Sequence, residues 1–196
     1  STPFRLPVRL VGKPLGTRDQ LTVYRFLLLV VGGRPLGFPD FALGQGLLVT
    51  PIQMVRGYAA FLNGGWLVQP TLLKNAPERK PVAPKRVISQ AVTDSLLTAL
   101  RSVTEEEGSG KKAKLEGYDV AGKTGTAQMV DSATGSYSRS RFLSSFVGFA
   151  IGVEPKLVIF TSLDSPRGIY YASETAAPLF RNVLQAVANR FSLPTT

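Results

Sequence analysis

Residues 123–128 read Lys-Thr-Gly-Thr-Ala-Gln, an ammonium group followed by two hydroxyls on either side of a glycine. Two kinds of chemistry use such a run. Counting back, Gly117-Tyr118-Asp119-Val120-Ala121-Gly122-Lys123-Thr124 satisfies G-x-x-x-x-G-K-[ST], the pattern of a loop that cradles phosphate. The same residues on an extended strand would instead offer a free edge, where a peptide-like ligand can take main-chain hydrogen bonds. The elements around the run decide between the two.

A phosphate loop needs an apolar strand ending before its first glycine and a helix starting at the lysine, because the helix N-terminus and loop amides bind the anion together. Before Gly117 stand Lys111, Lys112, Lys114 and Glu116, and after Thr124 come Gly125 and then Asp131-Ser132-Ala133-Thr134-Gly135. Neither condition is met, although Leu157 to Asp164 imitates the apolar strand and acid that hold magnesium. Gly122, Thr124, Gly125 and Thr126 suit a strand better than a helix interior, so Tyr118 to Val130 is expected to be extended.

The flanking elements are well marked. Thr50, Pro51 and Gln53 make an N-cap, an N1 proline and a capping-box partner, and Asn63-Gly64-Gly65 closes the helix. Ile52, Val55, Tyr58, Ala59 and Leu62 are spaced as its inner face. A linker from Pro70 to Arg86 leads to a helix capped near Ser89, with Val92, Leu96, Leu97, Leu100 and Val103 inward and an end near Gly108. Leu143 to Val153 and Leu157 to Leu163 read as strands of an antiparallel hairpin across Glu154-Pro155-Lys156. A last helix from about Ser173 to Phe191 places Phe180, Val183, Leu184, Val187, Ala188 and Phe191 on one side, with Pro178 in its first turns.

Composition limits what the chain can do. Its 196 residues are 44% apolar, enough for one sizeable core. There is no cysteine and no histidine, which removes the usual zinc sites, thiol nucleophiles and Ser-His pairing, and leaves lysine as the base for any acyl transfer. The charge of +10 suits an anionic partner, but its 23 Lys and Arg are scattered, without the basic and aromatic stripe of a nucleic-acid binder. The longest apolar run, Phe26 to Val31, is far shorter than the roughly 20 residues of a bilayer span.

From Gly44 to about Phe191 the chain resembles the C-terminal part of the transpeptidase domain of class B high-molecular-mass penicillin-binding proteins. The resemblance is carried by Gly44-Gln45-Gly46, Val49-Thr50-Pro51 with Gln53, Ala59 and Asn63-Gly64-Gly65. It continues in Gly108-Ser109-Gly110-Lys111-Lys112-Ala113, the Lys-Thr-Gly-Thr-Ala-Gln run, Ser145-Phe146-Val147-Gly148-Phe149-Ala150, Gly168 with Tyr170-Tyr171, and Ala177-Pro178-Leu179-Phe180. It implies part of the serine-dependent penicillin-recognising α/β fold (α+β, β-lactamase/transpeptidase-like), an antiparallel sheet flanked by helices. It implies a peptidoglycan D,D-transpeptidase whose substrate is a stem peptide ending in D-alanyl-D-alanine and whose inhibitors are β-lactams. Lys123 would supply charge beside the substrate carboxylate and the hydroxyls of Thr124 and Thr126 would contact it. Gly125 would admit the ligand to the backbone, Ala127 would extend the binding strand, and the Thr126 N–H would form half of the oxyanion hole. No cofactor, metal or nucleic acid is implied. An extracytoplasmic location, with the anchor outside this chain and cell-wall synthesis proteins as partners of the parent protein, is.

The family's Ser-x-x-Lys nucleophile and Ser-x-Asn motif precede the Gly-Gln-Gly region, and the chain is expected to be a fragment without them. No Ser-x-Asn occurs, and the single Ser-x-x-Lys, Ser109 to Lys112, is read as a chance match in a glycine turn. Glu105, Glu106 and Glu107 read as a solvated helix end. Residues 1–43 contain five Arg, five Pro, five Gly and nine Leu but no Glu, Asn, Ile or Met, and stay unassigned. A non-catalytic binding fragment, a β-lactam sensor or class D β-lactamase relative, and a phosphate-loop NTPase are the alternative readings.

Overall fold

The computed structural model describes residues 49–70, 85–131 and 133–195, and the backbone of Val30–Val31 and Arg34–Pro35. Most of the apolar run Phe26 to Val31 and of the linker from Pro70 lies outside the described residues. The chain forms two compact units, one of Ser1–Leu48 with Gln128–Arg139 and one of Val49–Ala127 with Ser140–Thr196.

In the first unit β1 (Val30–Val31) and β2 (Arg34–Pro35) pair antiparallel. Asp131 and residues 133–136 are tied together by local hydrogen bonds. The Asp131 carboxylate accepts from the Ala133 N–H at 2.8 Å, and the Asp131 carbonyl accepts from Gly135, whose φ of 67° suits glycine.

The second unit begins with α1 (Pro51–Leu62). Thr50 caps it as expected: its hydroxyl accepts from the Gln53 N–H, and the Gln53 side chain accepts from the Thr50 N–H at 2.8 Å. Thr50→Ala is expected to cost about 1 kcal/mol, a loss of about 3 °C in the melting midpoint. Urea unfolding with an unchanged midpoint would contradict that role. A ribbon of β3 (Trp66–Leu67) and β4 (Lys85–Arg86) follows, with the Arg86 guanidinium 5.6 Å from the Trp66 ring centroid. Next comes α2 (Gln90–Ser102), capped by the Ser89 hydroxyl at the Val92 N–H.

The inner faces of both helices differ from the spacing argument at two positions each. Ile52 and Val92 are exposed, while Ala60 and Thr93 are buried. Both misplaced residues sit in the first turn, where capping, not burial, fixes the chain. Thr93 pays no penalty inside because its hydroxyl donates to the Ser89 carbonyl at 2.9 Å.

The sheet has the order β5-β6-β7, built from β5 (Asp119–Val130), β6 (Tyr137–Ile151) and β7 (Val158–Asp164). β6 and β7 pair antiparallel from Leu143 with Asp164 to Phe149 with Val158, the expected hairpin. β6 starts six residues before the apolar run suggested, at Tyr137 instead of Leu143.

Strand alternation divides the core between the two faces. Phe146, Ala150 and Val120 pack with Phe180, Leu184 and Ala188 of α3 (Ala176–Phe191). Phe149 and Ala121 pack on the other face with Leu100 of α2 and with Tyr58 and Phe61 of α1. The result is a helix, a sheet and a helix pair in three layers. α3 starts three residues later than expected, and Phe191, expected inward, is 63% exposed. Among the described residues no helix is long and apolar enough to cross a membrane.

Candidate functional site

Strand β5 runs unbroken through Gly122, Lys123 and Thr124, with no helix starting at the lysine. The phosphate-loop reading therefore fails: the amides that would converge on a phosphate are spread along an extended backbone.

The root of β5 is anchored before the site begins. Arg101, at the end of α2, donates to both carboxylate oxygens of Asp119 at 2.6 to 3.1 Å, and that hydrogen bonding holds the guanidinium pKa above its ordinary value. Thr104 donates to the Val120 carbonyl at 2.6 Å. Gly122 then lets the strand pass over the Phe146 ring. A β-carbon at Gly122 would stand 2.6 Å from Phe146 Cζ, and one at Gly148 or Gly110 would also stand under 3 Å from that ring. Phe146 is thus seated on three glycines, two of which border the candidate residues Ser109 and Lys123.

Among the described residues β5 has a neighbour on one side only, β6. The Ser145 hydroxyl of β6 reaches the Gly125 carbonyl at 3.4 Å, so Gly125 turns its peptide groups towards β6. Since successive residues turn to opposite edges, Thr124 and Thr126 present their N–H and C=O to the open edge. The Lys123 ammonium folds along that edge, donating to the Thr124 carbonyl at 3.0 Å. Ser145 also explains Gly125: an added β-carbon would stand 2.7 Å from its Oγ.

The hydroxyls of Thr124 and Thr126 share a face, and each already has one partner. Thr126 Oγ1 accepts from the Ala172 N–H at 3.0 Å, which leaves its own proton to donate. Thr124 Oγ1 and Ser109 Oγ are 2.9 Å apart. One of their two protons lies between them and the other is available. With the Lys123 ammonium, this edge therefore carries three donors suited to an anion, and among the described residues no strand covers the Thr126 N–H and C=O. The exposed Tyr171 and the Tyr170 ring, stacked on Phe142 at 3.9 Å, lie on the segment that ends in Ala172.

Ser109 is not built as a nucleophile. Its hydroxyl faces Thr124, while Lys111 pairs with Glu106 and Lys112 with Glu174, so both ammonium groups are committed to carboxylates. The Lys111 hydrogen bond holds the Glu106 carboxyl below the usual range, and Glu105 and Glu107 are exposed, as a solvated helix end should be. Ser109 and Ala172 are the site residues that spacing did not reveal as partners, because their bonds to the strand cross 15 and 46 residues of sequence.

The family described as "Penicillin binding protein transpeptidase domain" matches residues 37–185, beginning inside the segment that composition set apart. Stage V sporulation protein D of Bacillus subtilis is 40% identical over 154 residues, covering 74% of this chain and 23% of that protein. The penicillin-binding protein PbpB of Mycolicibacterium smegmatis is 34% identical, covering 80% of this chain and 26% of that protein. The chain thus spans about a quarter of the length of these curated relatives. Penicillin-binding protein 3 of Mycobacterium tuberculosis, complexed with aztreonam, has a TM-score of 0.69 and 32% identity over 80% of this chain and 38% of that one.

Proposed function

The chain belongs to the penicillin-binding protein transpeptidase family, and from that premise we propose that it supplies the substrate strand of a peptidoglycan D,D-transpeptidase. Residues 44–196 are the C-terminal part of that domain, whose family match begins at residue 37, and residues 1–36 have no assigned role. The observation that carries the proposal is the edge of β5 that no other described strand covers, which bears the Lys123 ammonium and the hydroxyls of Thr124 and Thr126.

A stem peptide ending in D-alanyl-D-alanine, or a β-lactam that mimics it, lies along Lys123 to Ala127 as an added strand. Its carboxylate takes the Lys123 charge and the spare hydroxyl protons of Thr124 and Thr126. The Thr126 N–H, which turns to the same edge, stabilises the oxyanion of the scissile carbonyl. In the complete reaction a serine oxygen attacks that carbonyl, an ester forms, and the terminal D-alanine leaves with a proton on its nitrogen. The amine of a neighbouring stem then attacks the ester, forming the cross-link and returning the proton to the serine. No free Ser-Lys pair among the described residues serves that step. The setting is extracytoplasmic, at the cell wall, with other wall-synthesis proteins as partners of the full protein.

Titration of the purified chain with diacetyl-lysyl-D-alanyl-D-alanine, followed by amide NMR, is expected to shift Thr124 to Ala127 saturably. A fluorescent penicillin is expected to leave no covalent adduct on a denaturing gel. Peptide shifts absent, or confined to other elements, would sink the substrate-strand reading. An adduct lost in Ser109→Ala would transfer the nucleophile to Ser109.

A further inference from the structure

The Ser-x-x-Lys match that lacks a nucleophile's geometry has another use. Ser109 holds the Lys-Thr-Gly strand through Thr124, and Lys112 holds the segment that leads into α3 through Glu174. These two attachments leave one turn of chain. Lys111–Ala113 is a short 3-10 turn whose Ala113 is fully buried, so the base of Lys112 is fixed in the core.

The segment before α3 is held at alternate residues. The Ser144 hydroxyl donates to the Tyr170 carbonyl, the Ala172 N–H donates to Thr126 Oγ1, and the Glu174 carboxylate meets Lys112. Only Ser173 separates Ala172 from Glu174, and the Glu174 N–H donates back to the Tyr171 carbonyl at 3.0 Å. A tilt at Glu174 is therefore passed to the amide that fixes the Thr126 hydroxyl.

We propose that Lys112 and Glu174 are positioning residues: their ion pair clamps the segment before α3 so that the Ala172 amide holds the Thr126 hydroxyl in its ligand-ready orientation. This rests on the substrate-strand reading for its purpose and on the bond network alone for its mechanics. Half-exposed ion pairs have small individual effects, so the coupling should be modest and reversible by exchanging the charges.

The test uses the 15N-labelled chain with Lys112→Glu, Glu174→Lys and the double exchange. Amide hydrogen exchange at Ala172 is expected to speed up by about threefold in each single variant and to return towards the parent rate in the double variant. Affinity for diacetyl-lysyl-D-alanyl-D-alanine should fall and recover in parallel, with the melting midpoint nearly constant. Unchanged Ala172 exchange in both single variants, or a double variant no better than they are, would overturn the clamp. Exchange that responds while peptide affinity stays fixed would overturn the positioning role. If the parent chain binds no peptide, the functional reading fails, and Ala172 exchange alone decides the clamp.

Discussion

Phe146→Ala should lower the unfolding free energy by about 4 kcal/mol, the upper part of the range for a fully buried aromatic, and the thermal midpoint by about 12 °C. The magnitude follows from how the ring is enclosed. Phe146 has no exposed surface and meets Phe180 of α3 with ring centroids 4.8 Å apart. Its edge rests against Gly110, Gly122 and Gly148. Glycines have no side chain that could swing into the vacated space, so the cavity closes only if backbone moves, and the cavity cost is kept. The reciprocal variant, Gly122→Ala, drives a methyl group into the same ring and into the Val147 carbonyl, and should cost about 2 kcal/mol. In the Phe146→Ala background that methyl group loses its ring clash, so the double variant should be more stable than the sum of the two singles predicts. Urea unfolding of the four proteins closes the cycle. Additive costs would mean that ring and glycine do not share the space the structure gives them.

Lys123→Ala should weaken binding of a D-alanyl-D-alanine peptide by about thirtyfold, roughly 2 kcal/mol for a lost charge-assisted contact, with little change in the melting midpoint. The separation of the two effects is the informative part. Lys123 is exposed and, among the described residues, its ammonium bonds to the Thr124 carbonyl on its own strand edge, so its removal takes no core contact from them. Lys123→Arg should recover part of the affinity, since charge returns but the planar guanidinium cannot lie along the edge in the same way. Equal affinities for the parent and Lys123→Ala would remove the lysine from the site. A loss matched by unfolding would make it structural.

How much of this was legible in the sequence differed by kind of signal. Thr50, Pro51 and Gln53 lie within four residues of one another, and short-range capping rules located α1 correctly. The hairpin of β6 and β7 was marked by a run of apolar residues on each side of Glu154-Pro155-Lys156. Tyr137 to Phe142 escaped because Ser138, Arg139, Ser140 and Arg141 carry no apolar pattern, and pairing holds them extended instead. Ile52 and Val92 were misplaced because spacing alone cannot tell a capped first turn from a buried one. At the site, the Lys-Thr-Gly run stood out by residue type, whereas the partners of its hydroxyls depend on chain crossings that no local pattern encodes. The same holds for Gly125. Ligand access was the reason expected for it, and the fold adds a second one in the Ser145 hydroxyl across the strand.

Trp66 is the only tryptophan in the chain, and it sits on the β3–β4 ribbon with Arg86 over its ring. Its emission will therefore register the loosening of that ribbon and of the cation beside it. The Phe146 ring and its glycine seat contain no indole, so their disruption changes this signal only if it spreads to the ribbon. An optical melt at tryptophan wavelengths and an amide-resolved melt would then give different midpoints whenever the strand that carries Lys123 loosens first. The gap between them would measure how independently the sheet and the ribbon come apart.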